Sequence, residues 1–245
     1  MTAPGDLTAL VDATWPPARR ETCGPFQVNL SPGGGKRVTA AVLDGGVATP
    51  ADLDAADAAM RQAGQTPLYR VLPGQEALDT ALAGRGFARV DDTVLCSAPL
   101  APLLAIERPR VSVFDIWPPL AIMDEIWEHA GIGADRRAVM DRCTCPHAGL
   151  MGRVEDRAAG VGFVALQGAT AMVHALETVP QFRRKGVARR MMGQAAVWAN
   201  RHGADRLSVL VTAANTDARA FYAALGMTET GGYHYRIKLK EEAHG

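Results

Sequence analysis

The sequence predicts an α/β protein built from two related halves, and three observations carry that expectation. Stretches with helical spacing alternate with short β-branched or aromatic runs along the chain. Both halves open on the same tripeptide, Trp15-Pro16-Pro17 and Trp117-Pro118-Pro119. Each half later carries a helix-like run ending in Gly plus a large apolar residue, followed by a strand. These are Gly86-Phe87 in ALDTALAGRGFARVDDTVLCSA and Gly226-Met227 in ARAFYAALGMTETGGYHYRIK. The reading is a divergent tandem repeat, with one half over 1–100 and the other over 108–245.

Composition narrows the class. The chain has 245 residues, 48% hydrophobic and 21% charged, the proportions of an ordinary globular protein. Disorder, collagen and coiled coil are excluded. Lys+Arg and Asp+Glu are both 26, so the net charge is zero and nucleic acid is not an expected partner. No apolar run reaches the roughly eighteen residues that span a bilayer, so no membrane partner is expected. The first twenty residues lack a basic segment followed by an apolar one, so no secretory leader is read there and the cytoplasm is the expected compartment. Cys23 and Cys96 stand alone, and Cys143 and Cys145 are too close to pair comfortably, so no disulfide framework is expected.

In the first half, Phe26 to Leu30 and Arg37 to Leu43 are expected strands around Ser31-Pro32-Gly33-Gly34-Gly35. Thr49-Pro50 is a cap and first turn for a helix ending near Gly64. Strand, helix and strand follow over 68–72, 76–83 and 88–97, and Ala98 to Pro102 reads as the linker. In the second half, helices are expected over 122–130 and 135–142, then strands over 149–153, 160–166 and 171–178. Residues 184–201 form a strong helix, because Val187, Met191, Ala195 and Trp198 recur at helical spacing and Gly203 stops it. Strand 207–212, helix 216–225 and strand 233–239 complete the chain. The last three residues, Ala243-His244-Gly245, are expected to fray.

The chemistry-bearing stretch is AMVHALETVPQFRRKGVARRMM, residues 171–192. A strand runs into Pro180. Arg183, Arg184 and Lys185 then precede Gly186 at the start of the long helix. The first amides of a helix have no internal partner and carry the positive end of its dipole, which suits a phosphate or pyrophosphate. Three cations are unfavourable there unless an anion compensates them. Gly186 and Ala188 leave room for a close approach. Neither a Walker loop nor a Gly-x-Gly-x-x-Gly fingerprint is present.

These residues resemble the GCN5-related N-acetyltransferase family. Its acetyl-CoA signature, Arg/Gln-x-x-Gly-x-Gly/Ala, is matched by Arg183-x-x-Gly186-x-Ala188. Strand 207–212, Asn215 and Phe221-Tyr222-x-x-Leu225-Gly226-Met227 follow in the family's order, with Met227 where the family has Phe. The six-residue signature is weak alone; its place in this series, over about 115–240, makes it specific.

The resemblance implies a mixed, mostly antiparallel sheet flanked by helices, in a truncated and a complete copy. It implies acetyl-CoA as cosubstrate, with its pyrophosphate on Arg183, Arg184, Lys185, Gly186, Val187 and Ala188. The pantetheine arm would run along Leu176, Glu177, Thr178 and Val179 like an added strand, with an amide near Glu177 or Thr178 polarising the acetyl carbonyl. Asn215 would hydrogen-bond that arm; its competing role is a helix cap, which Thr216 or Asp217 could equally fill. Tyr222 is the implied acid for the departing thiolate, against a plain core role beside Phe221. An arriving ammonium must lose a proton, and Glu177, His174 and Glu125 are the candidate bases. Glu177 is the first choice. It faces away from His174 unless the strand bulges, as it often does in the family.

The implied reaction is direct acetyl transfer to a primary amine in a ternary complex, on a small molecule or a protein. A longer acyl-CoA is a variant of this reading, and a non-catalytic acetyl-CoA sensor or assembly subunit is the alternative. Monomer and homodimer remain open. No metal is expected, since Cys143-x-Cys145-x-His147 has no second cluster. Gly33-Gly34-Gly35-Lys36-Arg37 reads as a hairpin tip rather than an anion cradle. The first half's helix start, GGVATPADLDA, is acidic and lacks the signature, so that half should not hold coenzyme A; it would be structural or wall the acceptor pocket. Met191, Met192 and the tryptophans read as packing.

Overall fold

In the computed structural model, which describes residues 4–239, the first half runs α1 (Pro4–Thr14), β1 (Arg19–Cys23), β2 (Phe26–Leu30), β3 (Ala41–Leu43), α2 (Pro50–Gln62), β4 (Leu68–Val71), α3 (Glu76–Gly84) and β5 (Phe87–Pro99). A short helix, α4 (Leu100–Leu104), leads into the second half. That half runs β6 (Val113–Ile116), α5 (Ala121–His129), α6 (Ala134–Asp141), β7 (His147–Val154), β8 (Arg157–Gln167), β9 (Thr170–Thr178), α7 (Val187–Arg201), β10 (Arg206–Thr212), α8 (Thr216–Ala224) and β11 (Thr228–Lys238). The expected fraying at 243–245 lies outside the described residues.

One sheet contains every strand, in the order β1-β2-β3-β4-β11-β5-β10-β9-β8-β7-β6. Two pairs, β3/β4 and β9/β10, are parallel, and the others are antiparallel. From the central β11/β5 pair outward, the first four pairings read alike in both directions: antiparallel, parallel, antiparallel, antiparallel; the second half adds a fifth, the antiparallel pair β7/β6. This is the tandem repeat in topological form. The halves also interlock, because β5 pairs with β10 of the second half and β11 with β4 of the first. Gly86 and Gly226 occupy the same place in each copy. Each adopts a left-handed φ (+76° and +81°) two residues past a helix, where a side chain would be strained, and turns the chain into β5 or β11.

The two Trp-Pro-Pro motifs are not equivalent. Trp15 follows α1 and leads toward β1, whereas Trp117 lies between β6 and α5. Their likeness lies in packing: both rings contact Phe163, at centroid distances of 6.1 and 5.4 Å. The expected linker is also different. Ala98 and Pro99 finish β5, and α4 buries Leu100 and Leu103 because apolar side chains there can reach α7. The expected strand 37–43 begins instead with a 3-10 turn, Lys36–Val38, and only Ala41–Leu43 pairs.

Helices cover both faces. On one, α5 and α6 bury Met123, Trp127, Val139 and Met140 against Trp15, Val161 and Phe163. On the other, α7 lays its apolar stripe, including Met192, Ala195 and Trp198, against Leu150, Val164 and Val173. Burying a side chain of that size contributes about 1.5–3 kcal/mol. The stripe therefore holds α7, and with it the turn that precedes it, against the sheet.

Candidate active site

Strands β9 and β10 pair in parallel only from Thr170/Arg206 to Val173/Val209. Beyond that, β9 continues to Thr178 and β10 to Thr212 without pairing, so a cleft opens between them. Its far side is still held, since Val161 faces Glu177, Gly160 faces Thr178, and the Val179 amide donates to the Ala159 carbonyl at 3.0 Å. Ladder alternation turns the Thr178 amide the other way, into the gap. The β9 edge thus offers unpaired backbone groups to an extended chain.

A bulge shapes this edge. Between the pairs Val161/Glu177 and Phe163/His174, one residue of β8, Gly162, opposes two of β9, Ala175 and Leu176, and Ala175 takes a φ of +49°. The extra residue brings Glu177 and His174 to the same face. The Ala175 carbonyl accepts from the Trp127 indole at 2.9 Å, so the bulge is pinned by the core.

His174 is a satisfied core residue. Arg37 can only donate, and its Nη1 lies 3.1 Å from His174 Nδ1, which must accept. The Nε2–H then donates to Thr14 Oγ1 (3.0 Å), which donates on to the Leu10 carbonyl (2.7 Å). Burial and the Arg37 charge hold the imidazole well below its ordinary pKa. Glu177 differs. It is half-buried, and burial raises its carboxyl pKa, opposed by the charges of Arg183 and Arg136. A carboxylate with a raised pKa holds a proton more strongly than an ordinary one.

At the end of β9 the chain turns through a 3-10 segment, Pro180–Phe182, and anchors Phe182 in the core. Residues 183–186 are exposed. Arg184 (+62°) and Gly186 (+74°) have left-handed φ, so α7 begins at Val187 rather than at Arg184. Gly186 caps the helix without a side chain; a Cβ there would be strained and would lie 3.0 Å from Arg190 Nη1. Among the described residues no carboxylate accepts from the 183–188 amides, although Glu155 lies 3.5 Å from Lys185 Nζ. The Arg183 amide is taken by the Pro180 carbonyl at 3.2 Å, so the opening turn of α7 offers N–H donors from Arg184 onward, with the Arg183, Arg184 and Lys185 side chains beside it.

Tyr222, on α8, packs into the core below the cleft with its side chain nearly buried. Burial, with the charges of Cys96 and Glu177, pushes its pKa up to about 12, so the phenol stays protonated. Its hydroxyl has no hydrogen-bond partner among the described residues. Asn215 is the cap of α8: its Oδ1 accepts from the Ala218 amide at 3.0 Å, which leaves its Nδ2 as a donor.

Residues 119–227 match the Acetyltransferase (GNAT) family. These residues form a GNAT domain. Solved structures agree on the fold of the whole chain. A GCN5-related N-acetyltransferase from Kribbella flavida superposes with a TM-score of 0.72 at 18% identity, covering 99% of this chain and 98% of that one. A functionally unknown conserved protein from Staphylococcus epidermidis gives 0.68 at 12% identity, over 89% and 92%. A tandem GNAT protein from the clavulanic acid biosynthesis pathway gives 0.60 at 16%, over 96% and 88%. No curated protein matches the sequence. GNAT domains use acetyl-CoA, and acyl-CoA-dependent N-acetyl transfer is the family's activity. No helix among the described residues is long and apolar enough to cross a membrane.

Two cavities flank the bulge of the GNAT domain. A groove of about 810 Å³ runs between α5 and the end of β9, lined by Ile122, Glu125, Ile126, Glu177 and Phe182. A smaller cavity of about 290 Å³ lies at the mouth of the β9/β10 cleft, between Ala175 and Thr212. The first half forms much of its wall through Trp15, Lys36, Arg37 and Asp91. The glycine run at 33–35 is thus not a free hairpin tip. Side chains at Gly33 and Gly34 would strike Asp135 and Val139 of α6, and their absence lets the loop carry Arg37 inward. Sequence reasoning noted this basic run but not its destination. It missed Arg136 altogether.

Cys143 and Cys145 lie with sulfurs 3.3 Å apart, both directed at the Ala13 carbonyl. His147 packs edge-on against Trp117.

Proposed function

We propose that this chain transfers acetyl from acetyl-CoA to a primary amine by direct attack in a ternary complex. The observation that carries this reading is the exposed, uncapped start of α7 beside an unpaired β9 edge, inside a GNAT domain. On this reading residues 108–245 form the transferase. Residues 1–100 are a degenerate copy that completes the sheet and walls the acceptor cavity.

The amides of 184–188, with the side chains of Arg183, Arg184 and Lys185, bind the pyrophosphate. The pantetheine arm lies along Leu176 to Val179 as a strand, and Asn215 Nδ2 donates to it. The Thr178 amide polarises the acetyl carbonyl and holds the oxyanion. Glu177, directly or through water, takes a proton from the ammonium. The amine nitrogen then bonds to the acetyl carbon, the C–S bond breaks with its electron pair on sulfur, and Tyr222 supplies the proton that makes the free thiol; the second proton on the nitrogen leaves through water and restores Tyr222, which gives the neutral amide. Burial keeps Tyr222 protonated until a thiolate forms beside it.

A thiol-release assay over an amine panel, run alongside calorimetric titration with acetyl-CoA, tests the proposal. Turnover on an amine is expected. Tight binding with no turnover on any acceptor would favour a sensor and overturn the catalytic reading.

A further inference from the structure

The cavity at the cleft mouth has an unbalanced charge. Three cations line it, Lys36 and Arg37 from the first half and Arg136 from α6, against the single carboxylate of Asp91. Asp91 is already used, since its Oδ2 lies 2.7 Å from Lys36 Nζ. Arg37 spends one nitrogen on His174. Among the described residues no carboxylate lies within ion-pair distance of Arg37 or Arg136. Two guanidinium groups therefore face one small cavity whose other walls are Trp15, Tyr233 and Tyr235. Arg37 is held in place, because the His174–Thr14–Leu10 chain and the glycine loop docked on α6 fix it from behind. Arg37 is partly buried and Arg136 is exposed at the cavity rim, and two unpaired guanidinium groups side by side suit a planar or tetrahedral anion and repel a polycation.

Glu177, the proposed base, lies close enough for the Arg136 charge to act on it. Glu177 lines the larger groove and the cations line the smaller cavity, so the proton acceptor and the cations lie on either side of the Ala175 bulge. We propose that the acceptor is a small amine that also carries an anionic group, a carboxylate or a phosphate, held by Arg37 and Arg136. This rests on the transferase reading above and adds the substrate class. It also gives the first half a function, since Arg37 reaches the site from there. A volume of about 290 Å³ admits only a small acceptor head or a short molecule.

The test uses matched pairs of amines at saturating acetyl-CoA: β-alanine against ethylamine, and O-phosphoethanolamine against ethanolamine. The acid-bearing member of at least one pair is expected to show kcat/KM about 30-fold or more above its partner. Which pair shows the larger ratio tells carboxylate from phosphate. Arg136→Ala should collapse that ratio through KM while leaving the Kd for acetyl-CoA unchanged. Equal or better turnover of the neutral partners, or a ratio that survives Arg136→Ala, would overturn the proposal. A second arm does not need turnover. Malonate and inorganic phosphate are titrated into the coenzyme A-saturated protein, wild type against Arg136→Ala. Binding of at least one anion about tenfold tighter to the wild type is expected, and equal affinities would contradict the proposal. Failure of the transferase reading itself would show separately, as absent coenzyme A binding or absent turnover on all amines.

Discussion

The two copies of the parallel strand–helix–strand unit have opposite fates at the same place. In the first, α2 is closed by its own side chains: Thr49 Oγ1 accepts from the Asp52 amide, and the Asp52 carboxylate accepts from the Thr49 amide at 2.8 Å. The adjoining gap is stapled by Gln75, which accepts from the Leu72 amide at 3.0 Å and donates to the Leu43 carbonyl at 3.3 Å. In the second, Gly186 leaves the start of α7 uncapped. The side chain of Asn215, the counterpart of Gln75, bonds only within its own helix and spans no gap, and β9 and β10 part beyond Val173/Val209. On the proposed reading, one fold thus yields a scaffold or an anion site, according to whether its N–H donors have partners inside the chain.

The comparison can be broken most sharply at Gly186. Gly186→Glu places a carboxylate at the α7 turn and strains its left-handed backbone. Acetyl-CoA affinity measured by calorimetry should fall about 100-fold or more. Tyr222→Phe comes next: kcat should drop about 10²-fold or more with the acetyl-CoA Kd unchanged, and unaltered turnover would remove Tyr222 from the mechanism. Glu177→Gln should lower kcat/KM about 10-fold or more. Because burial raises the Glu177 pKa, wild-type kcat/KM should rise with pH through a value above the usual carboxylate range. The variant should lack that limb, and a limb that persists would assign the base elsewhere.

A smaller effect tests the interlock of the copies. Asp79 on α3 holds Arg236 (2.7 and 2.9 Å) and His234 (2.6 Å) on β11. The Arg236 bonds first, then His234, keep its carboxyl well below the ordinary range. A carboxyl depressed in the folded state contributes stability above its unfolded pKa of about 4, and that stability is lost as pH falls toward the folded value. The site is partly solvated, so Asp79→Ala should cost only about 1 kcal/mol at neutral pH by denaturant melt, and less in acid. No difference at pH 7 would deny the link. Thr49→Ala should likewise cost about 1 kcal/mol of stability and leave acetyl-CoA binding untouched.

What was legible in the sequence was local. The α7 stripe, the Thr49-Pro50 cap and the Gly86 and Gly226 terminators each declare themselves within one or two turns, and so does the Arg183-x-x-Gly186-x-Ala188 signature. What was not legible depends on distant partners. The exchange of β5 and β11, the docking of the glycine loop on α6 and the meeting of Arg37 with Arg136 join residues about 100 or more positions apart, and no periodicity records them. Trp-Pro-Pro misled because identical words can serve different elements. Asn215 was ambiguous because cap and ligand roles use the same side chain from its two ends.

The most direct test of the central contrast is the stoichiometry of coenzyme A binding by isothermal titration. One site per chain is expected, abolished by Gly186→Glu and unaffected by Thr49→Ala. Two sites per chain, or one site that survives Gly186→Glu and weakens with Thr49→Ala, would contradict the account.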